Sequence, residues 1–453
     1  MSAGNHTTRA EAAGAIAQES HALAGMSHAW RALRHRNFRL FFGGQSISLI
    51  GTWMTRIATW WLVYRLTKSA LLLGTVGFAG QIPTFLVAPF AGVWVDRLDR
   101  RQVLVWTQAL SMVQSLLLAA LTFSGRITVG WILALSVMQG LINGFDMPGR
   151  QAFMVQMVGD RADLSNAIAI NSSMVNVARL IGPSLAGMVI AASSEAWCFL
   201  IDGLSYIAVI ASLLAMRIHA PGIKRKAAST LAELKEGWSY VSRFLPVRTI
   251  LLLFALVSLM GMPFVVLMPI FAAQVLGGGP HTLGFLMAAM GVGALISALS
   301  LAARKNVRGL IRMIPLAAAV FGLGLIGFGL SRVFWLSMTM ALIAGMGMMQ
   351  GMAASNTIIQ TLVSEDKRGR VMSYYTMAFV GMAPFGSLLA GSLAHAIGAP
   401  WTVVLNGSAV VLGALWFLTR LPALRRTVRP IYREMGIIPA PPEEMAPVQE
   451  AES

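Results

Sequence analysis

The chain has 453 residues, a formal net charge of +17 and a mean hydropathy of +0.69; 56% of its residues are hydrophobic and 12% are charged. A soluble domain carries about 25% charged residues, so this composition excludes a water-soluble globular protein, and long apolar runs in place of short alternating segments exclude a transmembrane β-barrel. One cysteine, Cys198, and seven scattered histidines without an HExxH spacing exclude a disulfide framework and a zinc enzyme, so no cofactor and no metal are expected.

In chain order, residues 1–36 are polar and lack the apolar core of a signal peptide, which predicts a disordered cytoplasmic tail. From there, apolar runs near the ~20 residues needed to cross a bilayer predict twelve spans, at 38–65, 70–95, 102–123, 129–149, 167–191, 197–217, 249–275, 282–303, 310–331, 333–356, 370–396 and 400–420. The fold expected is an all-α polytopic membrane protein with 12 transmembrane helices in two six-helix halves, 37–217 and 248–421. The connection 218–247 carries Leu231, Leu234, Trp238 and Val241 at helical spacing, with Ser229 or Thr230 placed to cap, and predicts an amphipathic helix on the cytoplasmic membrane surface. Residues 422–453 are Pro-rich, become acidic towards the end, and are expected to be disordered.

Lys and Arg set the orientation. With a cytoplasmic N-terminus, 29 of the 35 fall on the cytoplasmic side, 4 on the opposite side (Arg65, Lys68, Arg126 and Arg332), and Arg56 and Arg179 within spans. That bias places both termini inside and leaves nucleic acid no part in explaining the positive charge. The halves also repeat. Ala186-Gly187 matches Ala390-Gly391 at an offset of 204, and Leu73-Gly74 matches Leu283-Gly284 at 210. The second offset sets Asn306 opposite Asp96, so the acid is absent from the second half.

Ionisable groups within a bilayer are costly and default to functional candidates. Asp146 and Asp202 are the carboxylates expected inside spans. Asp146 precedes Pro148-Gly149, a predicted helix break, with Arg150 as its alternative structural partner. Asp202 and Arg56 are expected at ~8 Å and ~14 Å from the outer ends of spans six and one, from a rise of 1.5 Å per residue, so they can pair; Arg179 is the competing partner. These four are the candidates for proton or charge coupling, an ion pair being the structural alternative. For Arg179 a buried structural or coupling role is favoured over contact with an anionic substrate. Gly322, Gly324 and Gly327 form a GxGxxG pattern, but it lies inside an apolar span with no strand before it and reads as helix packing.

Between spans two and three, Gly92-x-x-x-Asp96-Arg97-x-x-Arg100-Arg101 resembles the signature loop of the major facilitator superfamily. Trp61-Leu-Val-Tyr64, Gly149-Arg150-Gln151, Asn166-Ala-Ile-Ala-Ile-Asn171, Ala178-Arg179-x-x-Gly182-Pro183, Leu267-Met-Pro269 and Gly369-Arg370-Val371 are similar to its enterobactin-exporter and macrolide-efflux branch. The resemblance covers about 33–420 and implies alternating access. It implies that Gly92, Asp96, Arg97, Arg100 and Arg101 form a cytoplasmic gate, closed when the transporter is open outward. Gly182, Pro183 and Gly187 resemble the superfamily's antiporter motif, without its upstream glycines: Ile170 and Ala178 stand there. Gln139-Gly140 resembles the span-four motif, but Ser136 stands where that motif has Arg, so the proton relay attributed to that Arg does not transfer. Spans one, four, seven and ten line the cavity in the superfamily, which makes Gln45, Trp53, Asn143, Gln350 and Asn356 the cavity candidates; the methionine clusters Met346, Met348, Met349 and Met352 in span ten and Met260 and Met262 in span seven suit a cavity for varied apolar ligands, although packing or lipid contact accounts for most of them.

The function expected is secondary active transport: proton-coupled efflux of an amphipathic compound such as a drug, siderophore or secondary metabolite. The alternatives are a solute-uptake symporter and a non-transporting membrane sensor or lipid-flipping protein. The expected partners are the small-molecule substrate, protons and the lipid bilayer. The protein is expected to be a non-enzymatic monomer of the bacterial inner membrane.

Overall fold

The computed structural model describes residues 31–95, 97–158, 163–218, 230–304 and 307–435. Asp96 and Asn306 therefore lie outside the described residues, as do residues 1–30 and 436–453. Among the described residues every regular element is helical.

A 3-10 turn, Arg31–Arg34, leads into the first half: α1 (Arg36–Thr67), α2 (Ala70–Val95), α3 (Arg100–Phe123), α4 (Val129–Val158), α5 (Leu164–Ala192) and α6 (Glu195–Ala215). The linker helix α7 (Thr230–Arg243) follows. The seventh span is broken into α8 (Leu245–Leu256), a π-turn at Val257–Gly261, α9 (Phe264–Ile270) and a second π-turn at Phe271–Val275. Then come α10 (Pro280–Ala302), α11 (Leu310–Leu330), α12 (Phe334–Leu362), α13 (Glu365–Val380), α14 (Met382–Ile397) and α15 (Ala399–Glu434), with Gly381 between the two pieces of the eleventh span. Among the described residues, eleven segments are long and apolar enough to cross a bilayer. α1, less apolar because Arg39, Arg56 and Arg65 lie along its 32 residues, completes twelve.

The halves are built alike. α2 packs on α4 as α10 packs on α12, and α3 packs on α6 and α4 as α11 packs on α15 and α12. Gly322 on α11 lets α15 approach until a Cβ there would lie 2.7 Å from the Gly407 carbonyl oxygen, so the GxGxxG glycines are packing residues. The asymmetry is between the two faces of the bundle. Both described chain ends lie on one face, here the terminal face. Towards the far face, α5 packs along α10 and α14 packs along α2. Towards the terminal face, α13 instead packs on α7 and α8 of its own half.

Glycines set how closely the halves meet. A Cβ on Gly187 would lie 2.8 Å from the Pro280 carbonyl oxygen and 3.1 Å from Gly284 Cα; one on Gly391 would lie 2.8 Å from both the Ala70 carbonyl oxygen and Gly74 Cα. These are the glycines of the two repeat offsets, joined crosswise. Each pairs with the counterpart of the other's match, as a two-fold axis between the halves requires.

Three expectations change. Helix α4 does not break at Pro148 but continues to Val158, and proline tolerates this because it costs one backbone bond in a helix that neighbours support. The segment expected to be disordered from 422 begins as helix: α15 runs to Glu434 because Leu421, Leu424, Val428 and Tyr432 form a buried stripe, while Pro422 and Pro430 lie on its exposed side. The first tail is anchored at its end. Arg31 Nη2 is 2.9 Å from Asp163 Oδ1, His35 Nε2 is 3.0 Å from Asp163 Oδ2, and the Ala32 N–H donates to Asn166 Oδ1 at 2.9 Å.

Candidate functional site

A cavity of about 370 Å³ lies between the halves. Its first-half wall is polar. α1 contributes Thr52, Trp53, Thr55, Arg56 and Thr59, which share one helical stripe; α3, α4 and α5 contribute Gln114, Gln139 with Asn143, and Arg179. Its second-half wall is apolar: Met262, Val265 and Val266 from the broken seventh span, Met287 and Met290 from α10, and Met348 and Met352 from α12. The π-turn at Val257–Gly261 and Pro263 sit where that span turns past the cavity, which is where helical irregularity is tolerated in a membrane protein.

Trp53 is the fixed point. Gly182 on α5 has no side chain, and a Cβ there would lie 2.5 Å from Trp53 Cβ and 3.0 Å from the Ile50 carbonyl oxygen, so α1 and α5 meet at this turn. That contact brings both intramembrane arginines to one indole: Arg56 Cζ is 4.9 Å and Arg179 Cζ 5.3 Å from its ring centroid. Arg56 is exposed to the lumen, and the buried Nε of Arg179 has no hydrogen-bond partner among the described residues. Pro183, the residue after the α1 contact, places its carbonyl oxygen 3.0 Å from where a Cβ on Gly284 would be. Gly182, Pro183 and Gly187 thus face α1 with one edge and α10 with the other.

The expected pairing of Asp202 with an arginine is not formed. Asp202, 1% exposed, accepts a 2.7 Å hydrogen bond from Ser115 Oγ on Oδ2, and the Thr52 and Thr55 hydroxyls of α1 lie beside the carboxyl. Gly51 presses against it, a Cβ there falling 2.8 Å from Oδ1, so α1 leaves no room for a long side chain to reach this oxygen. Neither Arg56 nor Arg179 has a salt-bridge partner among the described residues. Asp146 does have one. It accepts from Thr107 Oγ1 at 3.0 Å, from Gln108 Nε2 at 2.7 Å and from Arg150 one turn on. It does not line the cavity and ties α3 to α4.

Trp53 and Asn143 line the cavity; Gln45, Gln350 and Asn356 do not. Gln45 is 3% exposed, inside the bundle below the lining stripe of α1. Gln350 falls about 200° around α12 from Met348, at 100° per residue. Asn356 shares the Met352 face but lies a turn nearer the terminal face, where its Oδ1 accepts from Gln360 Nε2 at 3.0 Å. The loop residues are also partly elsewhere than expected. A Cβ on Gly92 would meet nothing within 4 Å, so no helix approaches it closely here. Arg97 is exposed, Arg100 donates to the Ala152 carbonyl at 3.3 Å, and Arg101 donates to the Leu214 carbonyl. Both acceptors belong to the first half.

Two groups escaped the sequence reading. Glu195, 2% exposed at the start of α6, forms a two-point pair with Arg65, at 2.8 Å from Nε and 3.1 Å from Nη2. Thr52, Thr55 and Thr59 were legible as a polar helical stripe in an apolar span, and their spacing alone points to a lumen.

Residues 27–435 match the model of the transmembrane secretion effectors, and the chain belongs to that family of the major facilitator superfamily. It is 26% identical over 375 residues to a staphyloferrin A transporter of Staphylococcus aureus, covering 82% of this chain and 93% of that protein. It is 26% identical to the multidrug efflux pump Tap of Mycolicibacterium fortuitum (84% and 95% covered), and 22% identical to macrolide efflux protein A of Streptococcus pyogenes (84% and 96%). Among solved structures, a bacterial homologue of the human lysosomal transporter Spinster, inward-facing and occupied, superposes with a TM-score of 0.66 at 14% identity, covering 87% of this chain and 97% of that one. A POT family transporter in complex with a thioalcohol-conjugated peptide superposes at 0.68 with 11% identity (86% and 96%), a likeness of fold. The protein is a multi-pass membrane transporter of small molecules and not an enzyme.

Proposed function

We propose that this transporter exports an amphipathic small molecule by alternating access, coupled to protons, from the cytoplasm across the bacterial inner membrane. The observation that carries this reading is the division of the cavity: a polar wall from one half faces a methionine and valine wall from the other. A ligand with a polar end and an apolar body satisfies both, and flexible Met side chains adapt to varied bodies. The efflux activities named for the relatives favour export over uptake.

The terminal face is taken as cytoplasmic from the Lys and Arg distribution. The glycine contacts of α5 with α10 and of α2 with α14 then seal the outer side, and this conformation is the inward-open one. Gly92, Asp96, Arg97, Arg100 and Arg101 would act in the other state.

Asp202 is the proton-carrying group in this proposal and Asp146 is not. Asp202 lines the lumen and has no salt-bridge partner among the described residues, so it can exchange a proton without first breaking an ion pair. Asp146 is held by Arg150 and two further donors. The test is transport of a fluorescent amphipath in proteoliposomes under an imposed pH gradient. Wild type and Asp146→Asn should follow the gradient, with the latter folding less stably, whereas Asp202→Asn should transport at a rate independent of it. Wild-type transport that ignores the gradient would refute proton coupling.

A further inference from the structure

We infer that the polar end of the substrate is an oxyanion: the cavity holds an amphipathic organic anion, its carboxylate between Arg56 and Arg179 at the Trp53 ring, its apolar body on the methionine wall. The inference rests on the cavity being the transport site.

Arg56 lies about three turns from the far end of α1, and Arg179 near the middle of α5. Charges at such depth are retained only where something compensates them. The compensation within the protein is incomplete. No carboxylate among the described residues lies within salt-bridge distance of either guanidinium. The two acids at comparable depth are engaged elsewhere, Asp202 by Ser115 and Asp146 by Arg150. What the arginines share is Trp53, over whose ring both sit. A ring face offsets part of a cation's desolvation. It supplies no hydrogen-bond acceptor in the guanidinium plane, and the buried Nε of Arg179 has no hydrogen-bond partner among the described residues. Two like charges held on one ring repel each other, and an oxyanion between them removes that repulsion while accepting from both forks.

The same arrangement argues against a cationic ligand. An indole and a carboxylate in one cavity would suit an organic cation, but the Trp53 ring is already occupied by two protein cations. Asp202 is the one carboxylate among the lining residues, against two arginines. The opposite wall has no charged residue among those lining it, so a fully hydrophilic polyanion would leave Met287, Met290, Met348 and Met352 facing water or the ligand's charges. The fit is to a molecule with one charged end.

The test uses three probes that share a fluorophore and differ in charge: dansylglycine (anion), its methyl ester (neutral) and dansyl-ethylenediamine (cation). Fluorescence polarisation with the purified full chain, corrected against empty detergent micelles, should give dansylglycine at least tenfold tighter than the ester and weakest binding for the cation. Arg56→Gln and Arg179→Gln should each weaken dansylglycine at least tenfold and leave the ester within twofold. Arg56→Lys should fall between, since it keeps the charge and loses the fork. The wild-type series needs no variant and guards against a substitution that fails to fold. Equal or better binding of the ester or the cation by wild type overturns the inference while leaving the amphipath exporter standing. Retained anion preference in both Gln variants places the anion elsewhere and also overturns it. Binding of none of the three refutes the cavity as an amphipath site, and the inference with it.

Discussion

Replacing Gly391 by alanine adds one methyl group where the halves meet, 2.8 Å from both Gly74 Cα and the Ala70 carbonyl oxygen. Both neighbours are backbone, so they cannot step aside by changing rotamer. Overpacking of this kind costs ~1–3 kcal/mol, and only while the contact is closed. In the proposed outward-open state α2 and α14 have parted, and the methyl meets nothing. The whole penalty therefore moves the conformational equilibrium, by ~5–150-fold towards outward-open. Gly187→Ala does the same at the second contact, 2.8 Å from the Pro280 carbonyl oxygen, and the two effects should add because they share no neighbours. Cys198 is the single cysteine and is buried, so Cys198→Ala provides a background for spin labels at Arg126 and His281, both exposed near the far face on opposite halves. The label-to-label distance distribution should gain a longer component in each single variant and be dominated by it in the double. Gly43→Ala on α1 is the control, since nothing lies within 4 Å of its Cβ position and it belongs to neither gate. An unchanged distribution in the double variant would refute the assignment of these glycines as the outer seal.

Other consequences are as direct. Arg65→Ala strands the buried Glu195 carboxylate and should lower thermal stability, by ~1–3 kcal/mol for lost charge-assisted hydrogen bonds at a half-exposed site; Glu195→Gln should cost less, and the reverse ranking in detergent-solubilised melting would contradict the pairing. The hydrogen bond from His35, with Arg31 and Arg34 nearby, holds the Asp163 carboxyl below its ordinary 3.8. A depressed folded value means the tie is complete above the unfolded value and is lost as pH falls through the lowered one. Proteolysis at residues 31–36 should therefore stay slow at neutral pH and rise only below about pH 4, near the ordinary carboxylate value, while Asp163→Asn should be cut readily at pH 7; equal cutting of both proteins at pH 7 would dismiss the tie. Gly182→Ala should displace Trp53, whose Cβ is 2.5 Å from the added methyl, and weaken dansylglycine without abolishing folding; unchanged affinity would mean that the indole does not organise the arginines.

Much of the fold was legible because membrane insertion is decided one helix at a time. Span length, apolarity and the placement of Lys and Arg are properties of single segments, so the twelve spans and the two offsets could be read without any contact being known. The misreadings have the same origin. Pro148 and Pro422 look like breaks in a single segment, yet α4 and α15 pass through them because neighbouring helices supply the packing. Gln45, Gln350 and Asn356 were placed in the cavity by span number alone; the rotation of each helix put Thr52 and Thr59 there instead, and turned Met348 and Met352 of the span-ten cluster to the lumen.

The amino-acid sequence by itself determined that the chain crosses the membrane many times in two similar halves, that Arg56, Arg179, Asp146 and Asp202 lie within apolar spans, and that Gly74, Gly187, Gly284 and Gly391 mark the repeat. Only the tertiary structure decided which of these groups meet. Gly187 closes on Gly284 and Gly391 on Gly74, Asp202 turns to Ser115, Asp146 to Arg150, and the two arginines share Trp53. Whether a buried charge finds a counter-charge depends on the register and rotation of separate helices to within an ångström or two, the range over which a hydrogen bond forms or fails. No periodicity along one helix contains that information, and the outcome is that Arg56 and Arg179 line the cavity with no counter-charge in salt-bridge distance among the described residues.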